Sequence, residues 1–492
     1  MRRHIMRGCA AAAATAMLVT PGFAGTGTAA AGHPQTGGPA RAHAGGAGTQ
    51  LWVSRYNGAG NGGDSATSVA VSPDGTKLFV TGSSYSGKAA GEDYVTVAYS
   101  AATGARLWLK RYNGPASKAD RAASVAVSPG GTRVFVTGSS KTSTPSVEHP
   151  GFYDDYATVA YDAATGAQLW VKRYNGPAKL WDAAAGVMVA RDGSTVFVTG
   201  TSWAHEFPAK AGYGDDWATV AYSASTGAQL WIKRYNGPAN HRDFAASVVS
   251  PGNGKVYVTG TSTGKGTEYD YATVAYSTVT GAQLWVKRYR SPGILADEAT
   301  SLAVNPARTR VFVTGSSGDD YATVAYNAAT GAQLWVKRYN GPARSGDTAN
   351  SVAVARDGTK VFVTGFSNGG TATRNDYATV AYSAFTGAQL WVKRYNGPGN
   401  LLDVAGCLRV GNGTVYVTGT SDGPSEMPDY ATVAYSASTG SQLWVKRYNG
   451  PGNSYDMAAS LAVNPSGTRV FVTGASEASR YNTDYGTIAY QG

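Results

Sequence analysis

Tyr156-Ala157-Thr158-Val159-Ala160-Tyr161, followed by Asp162-Ala163-Ala164-Thr165-Gly166-Ala167-Gln168-Leu169-Trp170-Val171-Lys172-Arg173-Tyr174, is the stretch that decides the fold. Two runs rich in Val, Tyr, Trp and Thr flank a Thr-Gly turn, which is the chemistry of a β-hairpin. The pattern recurs with small edits around Trp52, Trp108, Trp170, Trp231, Trp285, Trp335, Trp391 and Trp444, at gaps of 50 to 62 residues. A period of that length with several short strands in each copy predicts a β-propeller.

Working outward, each copy holds four strands. In the second unit they are Asp120 to Val127, Arg133 to Thr137 ended by Gly138, Asp155 to Tyr161, and Leu169 to Tyr174. Turns at Ser128-Pro129-Gly130-Gly131-Thr132 and Thr165-Gly166 join the first and last pairs. The dense Val, Phe, Tyr and Trp suit sheets buried on both faces between neighbours. Eight fourth strands are present, but the first of them, Leu51 to Tyr56, precedes every other strand, and the last unit has only three. The expected architecture is therefore all-β, an eight-bladed propeller of four antiparallel strands per blade. The N-terminal strand completes the last blade and removes an open seam.

The chain has 492 residues and 64 glycines. Repeat units contact only their neighbours, so this length is compatible with one domain. Of the net charge of +11, Arg2, Arg3, Arg7 and Arg41 account for four, leaving +7 on the rest. That excess is spread around the repeats, so nucleic acid is not an expected partner. Cys9 and Cys407 are the only cysteines, which excludes a disulfide framework and thiolate metal sites. Arg2, Arg3, His4 and Arg7 precede an apolar stretch from Cys9 to Val19 that is too short to span a bilayer. Residues 1–31 read as an export signal, by either the general or the twin-arginine route, and 32–50 as a flexible Gly/Ala linker. Residues 51–492 form the propeller. An exported monomer, secreted or in the cell envelope and without a membrane span, is expected.

Two acids repeat in every unit. One set opens the third strand (Asp155 and its equivalents) and faces Arg173 and its equivalents, which predicts cross-strand ion pairs. The other opens the first strand: Asp64, Asp120, Asp182, Asp243, Asp297, Asp347, Asp403 and Asp456. Eight carboxylates near one channel end are able to bind cations, or each satisfies backbone amides of the preceding Asn-Gly-Pro loop. Their presence in every unit favours the structural role.

Specific function is expected where the repeats differ. The loops between second and third strands vary most, and they share a face with the Asn-Gly-Pro loops. His149, His205 and His241, the histidines beyond the leader and linker, fall there in units two to four. Trp181 and Trp203 lie in unit three, and Glu206 and Arg242 stand beside histidines. Exposed Trp, His and Arg near a channel mouth suit a carbohydrate, peptide, protein or anionic ligand. No metal-ligand spacing occurs among them.

Ala98-x-Ser100-x-x-Thr103-Gly104-x-x-x-Trp108 resembles the tryptophan-docking motif of the pyrroloquinoline quinone (PQQ) type propellers. That group includes quinoprotein dehydrogenases and a non-enzymatic outer-membrane assembly lipoprotein. Asp347-x-Ala349-x-Ser351-Val352-Ala353-Val354 through Val363-Thr364-Gly365 resembles the bacterial SBBP and YVTN repeats. The likeness covers about residues 51 to 490. It implies a tryptophan packed between blades over a neighbour's Thr-Gly turn. In the enzymes it also implies PQQ stacked on a Trp, often beneath a disulfide of adjacent cysteines, with Ca²⁺ held by Glu and Asn beside an Asp base. Adjacent cysteines are missing here, and Glu298 is the one first-strand acid outside the repeated set. The reading is an exported, non-catalytic binding or scaffold propeller with no cofactor. The alternative is a PQQ- and Ca²⁺-dependent dehydrogenase of alcohols or sugars.

Overall fold

A computed structural model describes residues 46–60, 62–87, 91–142, 154–204, 214–293, 296–371, 373–479 and 482–492. Within them, thirty-two strands, β1 to β32 in chain order, form eight four-stranded sheets and no helix occurs. Every pairing is antiparallel, and the innermost strands of successive sheets touch one another around a ring. This is the expected eight-bladed propeller. Its closure is also the expected one: β1 (Gln50–Tyr56) pairs β32 (Asn482–Gln491), from Trp52 opposite Ala489 to Tyr56 opposite Tyr485.

The ring starts slightly before Leu51. Gly48 N–H donates to the Gln491 carbonyl at 2.8 Å, and Gln491 N–H donates to the Thr49 carbonyl at 2.8 Å. In the first blade Gly104 and Ser100 make the same pair of bonds within one continuous turn. The two ends of the chain therefore rebuild, without a covalent link, the turn that other blades make in one piece. Residues 46–50 belong to the propeller rather than to a linker, and residues 1–45 lie outside the described residues.

A second boundary differs from expectation. Gly138 does not end its strand, which runs from Arg133 to Lys141. A Cβ at Gly138 would meet the Arg121 carbonyl well inside contact distance, and Gly82, Gly260 and Gly365 stand against the same backbone in their blades. The first strand bulges here, between Ala122 and Ser124, and presses onto its neighbour. Glycine in mid-strand marks that close approach, not a stop.

The hydrophobic core lies between blades. Phe79 and Trp108 of blade one cluster with Val134, Val136 and Val159 of blade two, and the same set recurs around the ring. Three kinds of polar contact recur at the interfaces between blades. The docking indole donates across the gap, as Trp108 Nε1 does to the Ala163 carbonyl at 3.2 Å, over a glycine in the left-handed region (Gly166, φ 71°). The buried third-strand tyrosine donates to the next blade, as Tyr156 does to Ala218 at 3.3 Å. A first-strand serine accepts from the next innermost strand, as Ser68 does from Val125 N–H at 3.3 Å. Cys407, fully buried, takes that serine's place in blade seven.

Candidate functional site

All eight third-strand aspartates pair with a fourth-strand arginine, at 2.8 to 3.3 Å. The arginine does more than cross one ladder. Arg173 bonds Asp155 in its own blade, the Ser140 hydroxyl at 2.6 Å and carbonyl at 2.7 Å one strand further in, and Tyr112 of the preceding blade at 3.0 Å. Arg234, Arg288, Arg394 and Arg447 repeat the set. The fork geometry of guanidinium suits this bridging role. Each clasp joins three strands of one sheet to its neighbour, and its aspartate is buried in six blades and partly buried at Asp320 and Asp429.

The first-strand aspartates are fully buried at 0 to 1% exposure. In every blade one carboxylate oxygen accepts the backbone N–H six residues back, at 2.5 to 2.7 Å. The donor is the Gly of Asn-Gly, or Ser291 in blade five. The serine that the arginine grips gives its proton to the same carboxylate, as Ser140 does to Asp120. Among the described residues no three His, Cys, Asp or Glu side chains are grouped to hold a metal ion.

Burial is the largest influence on the titration of Asp64, Asp120, Asp182, Asp243, Asp347, Asp403 and Asp456 and raises each. It pushes Asp182, Asp243 and Asp403 up to about 6 against the bonds from Gly and Ser, and a third-strand aspartate of the preceding blade adds repulsion. Asp155 rises to about 6 for the same first cause, with Arg173 opposing. An aspartate whose pKa is higher folded than unfolded binds protons on folding between about 4 and 6. Stability is then gained as pH falls through 6 and lost as it rises. The melting temperature is expected to be higher at pH 5 than at pH 7.5, on the order of 5 °C. A melting temperature that rises steadily from pH 5 to pH 7.5 in scanning calorimetry contradicts this account.

The symmetry breaks over blades two to four. Trp181 and Trp203 flank the top of blade three, where Trp203 N–H donates to the Trp181 carbonyl at 3.3 Å. Trp181 bridges to Asp154 of blade two and its indole bonds that carboxylate. Trp203 stands opposite Asp215 in the ladder, and Arg242 of blade four lies 4.0 Å from Asp215. His241 adjoins Arg242, half-buried. The result is a band, Asp154–Trp181–Trp203–Asp215–Arg242, across three blades. His149, His205 and Glu206 lie outside the described residues. Asp154 and Asp215 are the additions to the sequence reading, and their signal was the doublets Asp154-Asp155 and Asp215-Asp216. Burial raises Asp215 to about 6, with Arg242 opposing and Asp216 adding repulsion; burial raises Asp154 as well.

None of the bulge residues of the innermost strands offers a charged side chain to a cation on the axis. Most of these bulge residues are small, among them Thr67, Ala123, Ala185, Thr300 and Gly406; the exception is Asn350, which donates to the Ala405 carbonyl at 2.8 Å. The polar ones are engaged in the ring, with Thr67 donating to the Ala122 carbonyl and Thr300 to Ala349, both at 2.8 Å. Trp217 is fully buried and donates to the Thr261 carbonyl at 3.2 Å, in the place of a third-strand tyrosine.

A family profile described as outer membrane protein assembly factor BamB matches residues 155–408 and, in an overlapping second register, 324–489. No curated protein sequence matches the chain. Among solved structures, a quinohemoprotein alcohol dehydrogenase from Comamonas testosteroni aligns with a TM-score of 0.55 at 14% identity, over 90% of this chain and 76% of that one. Sqt1 of Chaetomium thermophilum, solved bound to the N-terminus of ribosomal protein L10, aligns at 0.56 and 10%, over 89% and 98%. The Dos1 propeller aligns at 0.55 and 11%, over 89% and 95%. At such identities the likeness is one of fold.

Proposed function

Because the chain belongs to the PQQ-type propeller family described as outer membrane protein assembly factor BamB, in which fold does not dictate chemistry, we propose that it is a non-catalytic binding propeller. It acts after export, in the cell envelope or outside the cell, and takes a peptide, protein or carbohydrate ligand on its loop face over blades two to four. The observation that supports this is the division of labour among side chains. One oxygen of each repeated acid is engaged by a backbone amide or an arginine, whereas the unlike side chains gather in the band from Asp154 to Arg242. Indole faces beside carboxylate and guanidinium groups recognise sugars and peptides, and they need no reacting centre.

The test against a dehydrogenase is direct. The purified protein, incubated with PQQ and Ca²⁺, is expected to retain no quinone absorbance after gel filtration and to show no dye-linked oxidation of alcohols or sugars. Stoichiometric quinone binding with turnover overturns the reading.

A further inference from the structure

The face opposite the variable loops carries a charge that sequence order hides. Each blade turns there twice, between its first and second strands and between its third and fourth, and these turns are short and nearly uniform. In every blade but the seventh, the first of them, or the residue after it, is Lys or Arg: Lys77, Arg133, Arg191, Lys255, Arg356 and Arg469 are examples. The fourth strand adds a lysine in seven blades, and its stem runs down to this face. The Lys110, Lys172 and Lys233 side chains reach the turn glycines Gly166, Gly227 and Gly281 of the next blade. The acids here are Asp74, Asp162, Asp192 and Asp357, and each is tied to the amides or hydroxyls of its own turn. The remaining acids of the described propeller stand on the loop side. A charge that recurs with the blade period therefore becomes one basic face when the blades close.

The same face is apolar at its margin. A β-bulge at the start of each fourth strand sets two residues opposite one, as Arg106 and Leu107 stand against Tyr99, and the leucine turns outward. Leu107, Leu230 and Leu443 are 48%, 51% and 53% exposed. Val279 and Phe385, at tips of the third-to-fourth turns, are 82% and 57% exposed. Nucleic acid uses the cations alone, whereas a bilayer uses both features: cations meet anionic headgroups, and leucine, valine and phenylalanine enter the interface.

We infer that the turn face is a peripheral docking surface for an anionic lipid bilayer, leaving the loop face free. This surface is independent of the proposed ligand band. In co-sedimentation, the purified chain is expected to bind phosphatidylcholine vesicles containing roughly one-third phosphatidylglycerol about tenfold or more tighter than pure phosphatidylcholine, with the difference lost at high salt. The fourfold variant Lys233→Glu/Lys287→Glu/Lys393→Glu/Lys446→Glu, checked for an unchanged melting temperature, is expected to weaken binding about tenfold or more. Val279→Ser/Phe385→Ser also weakens it, and Lys179→Glu/Lys265→Glu on the loop side leaves it unchanged. If the fourfold variant fails to fold, the Val279/Phe385 pair and the loop-side control still decide. Equal binding to neutral vesicles, loss from the loop-side variant alone, or capture by heparin or RNA with none by vesicles overturns the inference.

Discussion

A chain that begins at Asn57 is expected to lose its single cooperative unfolding transition, whereas one that begins at Gly46 keeps it. The missing segment carries the fourth strand of the last blade. Its Arg55 bonds Asp484 at 3.0 Å, the Ser476 hydroxyl at 2.7 Å and Tyr448 at 2.9 Å. Its Trp52 docks on the first blade and donates to the Ala101 carbonyl at 3.3 Å, and Tyr56 packs edge-on against Tyr485 with ring centroids 5.4 Å apart. Burial of these rings, with the arginine network, amounts to roughly 10 kcal/mol. Without them β32 has an open edge, Trp444 loses Gly48, and blades one and eight face water. A circular permutant tests whether the loss follows from the strand rather than from shortening. Joining Gly492 to Gly46 restores a turn of native length, and new ends between Gly369 and Gly370 cut a loop. The permutant is expected to unfold in one transition in urea. Two transitions in the permutant, or one in the truncated chain, contradict the closure.

Arg394→Met is the second large effect. The guanidinium bonds Asp376 at 2.8 Å, the Ser367 hydroxyl at 2.6 Å and carbonyl at 2.8 Å, and Tyr339 of the preceding blade at 3.3 Å. Its removal strands one buried carboxylate, Asp376, which is 5% exposed, and takes a lesser attraction from Asp347, which keeps the amides of Gly341 and Asn368. Loss of one partner of a buried pair costs about 3–5 kcal/mol. Because the arginine side chain is 21% exposed, solvent screening places the expected cost at the lower end. The double variant Arg394→Met/Asp376→Asn is expected to recover about half in urea midpoint, since the stranded charge goes with its partner. A single variant within about 1 kcal/mol of the parent shows that the clasp holds nothing.

Much of this architecture is legible in the amino-acid sequence. The repeat gave blade number, strand order and closure because every blade solves one packing problem with the same residues. The aspartates were legible as backbone fasteners because a device present in every blade answers a need of every blade. Other features were hidden for physical reasons. Arg173 and Tyr112 lie 61 residues apart, so an interaction between blades leaves no local pattern. Gly138 reads as a strand breaker until the bulge of the inner strand is seen against it. Asp154 and Asp215 are masked by the repeated aspartates beside them. The basic face is invisible for the opposite reason: charges evenly spaced along the chain are stacked by the closed ring. His149, His205 and Glu206 fall outside the described residues.

The repeated hairpin fastens the ring, and we propose that the unlike side chains of blades two to four bind the ligand. One measurement weighs both halves of that account: binding of the purified protein, and of two folded variants, to a printed array of glycans and peptides. Trp203→Ala is expected to reduce the signal of the bound features about tenfold or more. Tyr455→Ala, which removes an exposed aromatic from the loop face of blade eight, is expected to leave it unchanged. Equal loss from both variants, or loss from Tyr455→Ala alone, contradicts the account.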